Sequence, residues 1–337
     1  MKRKFTQLFI ISIVVLSTLT SSAFANTEIS FNGKVIKIIG QQYLYSEPSI
    51  DSKILAILED GETFKLLKIE KDWIKIANWK YTGYIMTITS HESTISASFE
   101  EDNSLYKYAI TNTSLHIREN PSINSKSMGV MKKGTLVIVH DTSTAPWWFV
   151  EYNGIFGYSH CDYLTLYEKC PQDETPLAVY TTSFSVKKDQ EGRVYNINKA
   201  ANMLNNTNVM PREIFSILSV ISPITKKNGY KEAPEYVVKN GEAKVVTGYG
   251  GGVCQVSTTL YNAFLIASNQ LDLETIERHI HALPVTYVPS GMDATISYSS
   301  KKDFRFKNNS NSELIIRTYT DEAGTISVYI TKKENFE

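Results

Sequence analysis

Cysteine is nearly absent from this chain: three occur in 337 residues, Cys161, Cys170 and Cys254, and none stands in a C-x-x-C or similar spacing, so no zinc site is supported. An excess of either charge is also missing. The chain has 35 basic and 35 acidic residues, and without the three basic residues near its start 32 face 35, a balance that implies neither nucleic acid nor an anionic membrane surface as partner. Histidine is scarce, with six in all, which narrows the candidates for acid–base work. Long apolar runs are limited to one, from Leu8 to about Leu19, short for a span of about 20 residues.

That run is flanked by Lys2, Arg3 and Lys4 before it and by Ala23-Phe24-Ala25 after it, the pattern of an export signal cleaved near Asn26. An uncleaved anchor is the alternative; after cleavage no stable membrane span is expected. In an exported chain an odd cysteine count suggests one pair and one free thiol. Cys161 and Cys170 are close enough in sequence to pair, leaving Cys254 free; in a Gram-positive-type wall with few disulfides all three stay reduced.

About 310 mature residues imply two or three domains. An internal repeat defines the first two. Tyr43 to Lys53 recurs as Leu115 to Lys126, with Ser46 set against Arg118; Gly61 matches Gly134, Trp73 matches Trp147-Trp148, and Gly83-Tyr84-Ile85 matches Gly157-Tyr158-Ser159. Short strands rich in Ile, Val, Tyr and Trp, with turns at Glu59-Asp60-Gly61 and Lys132-Lys133-Gly134, read as small antiparallel barrels at 30–90 and 106–168. The polar stretch 91–105 reads as a linker and 169–177, with Pro171 and Pro176, as a hinge. The two copies resemble bacterial SH3-like domains, which implies binding of cell-wall polymer; the tryptophans also read as barrel core.

Residues 178–333 read as an α+β domain, so the fold class expected is two all-β SH3-like barrels followed by an α+β catalytic domain. Strands are expected at 179–186, 214–220, 294–298, 304–306, 314–318 and 325–331, a short helix at 197–204, and an amphipathic helix at 254–267 with Val256, Leu260, Ala263, Phe264 and Ala267 as its apolar stripe. The segment YGGGVCQVSTTLYNA, Tyr249 to Ala263, places Cys254 in the first turn of that helix. Unsatisfied N–H groups and the positive end of the helix dipole favour the thiolate, the form that attacks a carbonyl carbon. Gly251 and Gly252 can let backbone approach a substrate and offer N–H groups to an oxyanion. The same cysteine also reads as a small buried hydrophobe.

A thiol nucleophile needs a base, and His279 and His281 are the two histidines of this domain. If 278–287 is extended they share one face, as an acid–base pair or as a base with an orienting neighbour. Asp293 can orient an imidazole or make an Asx turn. Arg278 can clamp a carboxylate or lie on the surface. Ser257, Thr258 and Thr259 offer hydroxyls or satisfy local backbone. Cys254, His279, His281 and Asp293 have ligand types, but in a spacing that matches no zinc pattern, so no metal or other cofactor is expected.

Pro211 to Ser216, Asn228 to Ala233, Gly250 to Ala263, Glu277 to His281, Pro284 to Pro289, Gly291 to Thr295 and Asp303 to Asn308 together resemble the VanW family, with small departures at Met210-Pro211-Arg212-Glu213 and at Ala282. The resemblance implies a wall-associated, secreted L,D-transpeptidase of the cysteine-dependent class, with Cys254 as nucleophile, His281 as base and peptidoglycan stem peptides as partners; the reading of the residues themselves adds His279 as the other candidate base, Asp293 beside them, and Gly251, Gly252, Arg278, Ser257 and Tyr287 toward the substrate. A cysteine peptidase or L,D-carboxypeptidase trimming stem peptides and a non-catalytic wall-binding protein are the alternatives.

Overall fold

The computed structural model describes residues 29–86 and 107–333, apart from positions 33–34, 39–40, 60–61, 71, 79–80, 143, 172 and 240–241. The leader read at 1–25 and the linker read at 91–105 lie outside the described residues. The chain forms two compact units, 1–101 and 102–337. It is mostly β-sheet with few helices.

In the first unit, β1 (Ile29–Asn32), β2 (Val35–Ile38), β3 (Gln42–Tyr45), β4 (Ile54–Leu58), β5 (Thr63–Glu70), β6 (Trp73–Ala77) and β7 (Thr82–Met86) make one sheet in the order β1-β2-β5-β6-β7-β3-β4. Alternate residues of β6 and β7 point inward, and Ile36, Leu44, Phe64, Ile74, Ile76 and Ile85 close the core. The second unit opens with β8 (Lys107–Thr111), β9 (Leu115–Arg118), β10 (Ser127–Met131), β11 (Leu136–Asp141), β12 (Trp147–Tyr152), β13 (Ile155–His160) and β14 (Leu164–Lys169), in the order β10-β9-β13-β12-β11-β8-β14. Read from β4, the first sheet has the same connectivity except for its last strand.

The pairing moves one correspondence of the repeat by a residue. Tyr45 faces Tyr84 as Arg118 faces Tyr158, and Ser46 N–H bonds Lys53 O as Glu119 N–H bonds Lys126 O. Tyr45, rather than Ser46, therefore stands where Arg118 stands. Arg118 donates to Ser125 O at 2.7 Å, whereas Tyr45 meets Trp73 edge-on at 5.3 Å. Trp73, Trp147 and Trp148 are half-buried, and aliphatic residues fill most of each core in their place.

The rest of the second unit runs β15 (Glu174–Ser183), α1 (Glu191–Leu204), β16 (Thr207–Val209), β17 (Ile214–Ser216), α2 (Ile217–Ile221), β18 (Ala233–Lys239), β19 (Glu242–Gly248), α3 (Val253–Ser268), β20 (Leu273–Glu277), β21 (Arg305–Asn308), β22 (Leu314–Asp321) and β23 (Thr325–Lys333). Its main sheet, β15-β23-β22-β16, is antiparallel and pairs the first strand of this part with the last. The strand expected at 214–220 stops after three residues, because the Ser216 hydroxyl accepts from Ser219 N–H and caps α2. The strand expected at 294–298 reduces to bridges from His279 to Thr295 and from Ser297 to Lys302. Helix α3 is buried almost all round rather than along one stripe.

The segment 169–177, read as a hinge, is held at both ends. Cys170 is buried against Tyr108, and Glu174 forms a bidentate pair with Arg317 at 2.5 and 2.7 Å. Tyr108, Leu136 and Ile138 from the second seven-stranded sheet pack with Val179 and Tyr329 from the main sheet. Polar bonds cross the same seam: Leu136 N–H to Ser327 Oγ at 3.4 Å, Thr181 N–H to Asn153 Oδ1 at 2.8 Å, and Tyr329 OH to Glu168 at 2.7 Å. Gly134, at φ +79, is pressed against the Asp321 side chain, where a Cβ has no room. Cys161 and Cys170 are both free thiols rather than a pair, since Cys170 lies in this seam while Cys161 sits on an exposed turn beside Asp162.

A seam of this kind makes barrel and main sheet one cooperative body. The fragment 102–337 is expected to melt in a single calorimetric transition, and Tyr329→Ala, which empties the seam, to destabilise it by about 3–5 kcal/mol. Two separable transitions, only one of them moved by Tyr329→Ala, contradict this.

Candidate active site

The start of α3 is built by close packing. Gly252, at φ +104, precedes the helix; a Cβ there meets Arg193 O at 2.8 Å and Ile197 Cγ1 at 2.9 Å. On Gly251 it meets Pro234 O at 2.5 Å and Ala233 Cβ at 2.7 Å. The close approach expected toward a substrate is thus made by α1 and β18. Asn196, fully buried in α1, fastens the loop by donating to Lys231 O, Tyr249 O and Gly251 O and accepting from Lys231 N–H. Gln255 ties the first turn to β15 through Thr182 Oγ1 at 2.9 Å and Ser183 O at 3.0 Å.

One face of α3 is polar, and it carries the thiol. Cys254, Thr258 and Asn262 recur at four-residue intervals, one above the other. Thr258 Oγ1 accepts from Ala294 N–H at 3.0 Å, and Asn262 Nδ2 donates to Met292 O at 2.8 Å. Cys254 Sγ lies 3.4 Å from Thr295 Oγ1 and 3.3 Å from Ile296 O, and Ile296 N–H points at it from 3.5 Å. The segment 292–296 is therefore laid along the helix with its register set.

The His279–Thr295 bridge continues that register, so His281 falls opposite Asp293. Asp293 Oδ2 accepts from His281 N–H at 2.6 Å and holds His281 Nδ1 at 2.7 Å. The imidazole, 12% exposed, lies close enough to the Cys254 thiol for each to shift the other's proton equilibrium. With Nδ1 taken by the carboxylate, Nε2 is the atom left for sulfur. Cys254, His281 and Asp293 form a continuous line of thiol, imidazole and carboxylate, with the thiol partly exposed.

The electrostatics agree with that line. Burial pushes the Cys254 thiol up, but the hydrogen bond and charge of His281, with help from Thr295 and Ile296, outweigh it and hold the thiol below its ordinary value. For His281 burial favours the neutral ring, and the thiol and Asp293 overcome it and raise the imidazole above its ordinary range. Asp293 is held low against its burial by the N–H groups of His281. All three directions favour a thiolate beside an imidazolium.

The other residues expected here divide. His279, on the same face as His281, lies one pair along, with Nε2 2.9 Å from Glu277 Oε1. Glu277 in turn accepts from Asp303 N–H at 2.9 Å. Arg278 is engaged by the loop: Nε donates to Asp293 O at 2.9 Å, the guanidinium bonds Gly291 O, and it stacks on Tyr261 at 4.3 Å. It thus shapes the turn that delivers Asp293. Ser257 is fully buried, and its hydroxyl has no hydrogen-bond partner among the described residues. Tyr287 lies near the thiol: burial first, then Cys254, raise its pKa. The ligand types Cys254, His279, His281 and Asp293 are not gathered around one point. Among the described residues, ligand atoms within 4.8 Å of one another occur on His160, Cys161 and Asp162, consecutive in the barrel.

Asn196, Asn262 and Thr295 escaped the sequence reading. The four-residue repeat Cys254–Thr258–Asn262, on a helix that also carries Gln255, Ser257 and Thr259, is the signal that points to a docked segment; Asn196 and Thr295 carry none.

Comparison with known proteins gives the following. Residues 192–331 match the family model of VanW like protein, and residues 113–165 that of the bacterial SH3 domain. YoaR of Bacillus subtilis is 39% identical over 141 residues, covering 42% of this chain and 43% of that protein. The vancomycin B-type resistance protein VanW of Enterococcus faecalis is 35% identical over 131 residues, covering 37% and 44%. The chain thus spans less than half the length of these curated relatives. The solved structure of NlpC2 from Trichomonas vaginalis aligns over 55% of this chain and 58% of its own at 12% identity and a TM-score of 0.18, too low to equate the folds. The chain carries a VanW-like domain preceded by a bacterial SH3 domain.

Alkylation reports the thiol directly. Because Cys254 is held below the ordinary thiol range, while Cys161 lies above it and burial pushes Cys170 up to about 12, iodoacetamide is expected to label Cys254 first as pH rises. His281→Ala removes the lowering partner, so the midpoint of the rate against pH should move upward by about one unit or more. A midpoint unmoved by His281→Ala contradicts the pairing.

Proposed function

We propose that this chain is an exported peptidoglycan L,D-transpeptidase working through a Cys254 thioester. The observation that carries the reading is the line from Cys254 through His281 to Asp293, a partly exposed thiol beside an imidazole oriented at 2.7 Å by a carboxylate. The VanW-like and bacterial SH3 domains support a cell-wall setting, and the leader supports export. Among the described residues no helix is long and apolar enough to cross a membrane.

The chemistry follows from those groups. The Cys254 thiolate attacks the carbonyl carbon of diaminopimelate in a tetrapeptide stem, forming the S–C bond of a tetrahedral intermediate. The Cys254 backbone N–H, at the second position of α3, has no intrahelical carbonyl to reach and is the donor assigned here to the oxyanion. His281 gives its Nε2 proton to the departing nitrogen, the C–N bond breaks, and D-alanine leaves with the thioester in place. The side-chain amine of a second diaminopimelate then attacks, His281 takes its proton, and the thiolate is released with a 3-3 cross-link formed. Asp293 keeps the required tautomer throughout. Water as acceptor gives L,D-carboxypeptidation instead. The SH3-like parts hold the enzyme on wall polymer in this reading.

Incubation of muropeptides with the protein from Asn26 onward, followed by mass spectrometry, is expected to yield 3-3 dimers with loss of D-alanine, and none with Cys254→Ala. His281→Ala should lower the rate about 10²–10⁴-fold. The rate against pH should be bell-shaped, rising as the thiol ionises below its ordinary range and falling as His281 loses its proton above the ordinary imidazole range. Shortened monomers alone mean a hydrolase, and unchanged muropeptides with retained wall binding mean a binding protein.

A further inference from the structure

Asp293 and Thr295 stand two apart on the segment laid along α3 and point the same way, while Ala294 and Ile296 enter the core. Asp293 backs the imidazole at 2.7 Å. Thr295 meets the sulfur itself, with Oγ1 3.4 Å from Cys254 Sγ. Its backbone is fixed independently of that contact, since Thr295 N–H bonds His279 O at 2.7 Å. Among the described residues the sulfur is the one hydrogen-bond partner of this hydroxyl. Thr258 and Thr259, the threonines of α3 nearest the thiol, are committed elsewhere, the first to Ala294 and the second to Gln255 O and Thr182.

The remaining neighbours of the sulfur define what this hydroxyl does. Ile296 O, 3.3 Å away, can only accept, so it favours the protonated thiol and repels the thiolate. Ile296 N–H, at 3.5 Å, favours the thiolate. A backbone donor and a backbone acceptor from one residue thus oppose each other, and a hydroxyl free to turn its proton toward sulfur tips the balance. We propose that Thr295 is a catalytic residue of the Cys254 site, its hydroxyl donating to the sulfur whenever the sulfur carries charge. This rests on reading the thiol as an acyl-transfer nucleophile. The role recurs in both halves of the reaction. Before attack, the hydroxyl holds the electron pair on sulfur against reprotonation. In the thioester the sulfur is neutral and the bond weakens. When the acceptor attacks and the C–S bond breaks, the pair returns to sulfur and the hydroxyl donates again, with no proton leaving its oxygen. The ionisable groups that act on the sulfur besides are His281, backed by Asp293, and Tyr287.

Thr295→Val keeps the branched shape and the N–H bond to His279 and removes only the hydroxyl; Thr295→Ser returns it. In the protein from Asn26 onward, the pH midpoint of Cys254 alkylation by iodoacetamide, followed by peptide mass spectrometry, is expected to rise by about half a unit or more in Thr295→Val and to stay near its original place in Thr295→Ser. The ultraviolet absorbance of the thiolate, titrated against Cys254→Ala as blank, should move in step. Should Thr295→Val not fold by circular dichroism, Thr295→Ala takes its place. A midpoint unmoved by loss of the hydroxyl overturns the assignment, whatever the muropeptides show. A midpoint that rises as far in Thr295→Ser also overturns it, because side-chain shape rather than the donor then sets the thiol. A midpoint that rises only without the hydroxyl, in a protein making no cross-link, leaves Thr295 as donor to a reactive thiol and overturns the transpeptidase reading alone. Where cross-linking occurs, Thr295→Val should lower kcat about ten-fold with KM little changed.

Discussion

The clamp between one face of α3 and the segment 292–296 is the constraint on which the site depends. That segment has almost no partner strand of its own. Its backbone groups are met instead by Thr258, Asn262 and the sulfur of Cys254, at equal intervals along a helix that is otherwise core. Because an antiparallel bridge then carries the register from Thr295 to His279, the pairing of His281 with Asp293 follows from the helix contact. A slip of one residue would turn Asp293 to the wrong side and leave a buried carboxylate and a buried imidazole without each other.

Burial and charge oppose one another at this site, and charge prevails. An isolated thiol in this position would be pushed toward the neutral form, as Cys170 is in its apolar seam. The difference is the partner: Cys170 has Tyr108 beside it, while Cys254 has an imidazole backed by a carboxylate. The same compact unit holds both, so the bacterial SH3 domain is a fixed part of the body that carries the thiol, joined through Tyr329, Glu168, Ser327 and Leu136. The first seven-stranded sheet, with Tyr45 where the second has Arg118, presents a different surface at the equivalent position.

Legibility in the sequence followed the range of the interaction. The repeat, the α3 helix and the run of glycines before the thiol show as patterns of neighbouring residues and are visible in the chain. The strand expected at 214–220 failed because a single serine capped a helix there, a competition between local motifs of similar strength. The partners of Arg278, the carbonyls of Gly291 and Asp293 and the ring of Tyr261, are brought to it by the fold and leave no local trace in the sequence. His279 and His281 are alike in sequence, two residues apart on one face, and nothing local distinguishes them.

What the sequence determined by itself is the chemistry in stock: one cysteine at the start of a helix, two histidines and an aspartate downstream, and a repeated β-rich region before them. Those follow from residue types and short spacings, which are local. What only the tertiary structure decided is which of them meet. Asp293 chose His281 over His279 because the α3 clamp sets the register, and α1 came against the turn before the cysteine because Gly252 has no side chain to keep it away. Contacts between distant segments depend on packing and hydrogen-bond satisfaction across the whole unit, and no pattern within a single window of sequence encodes them.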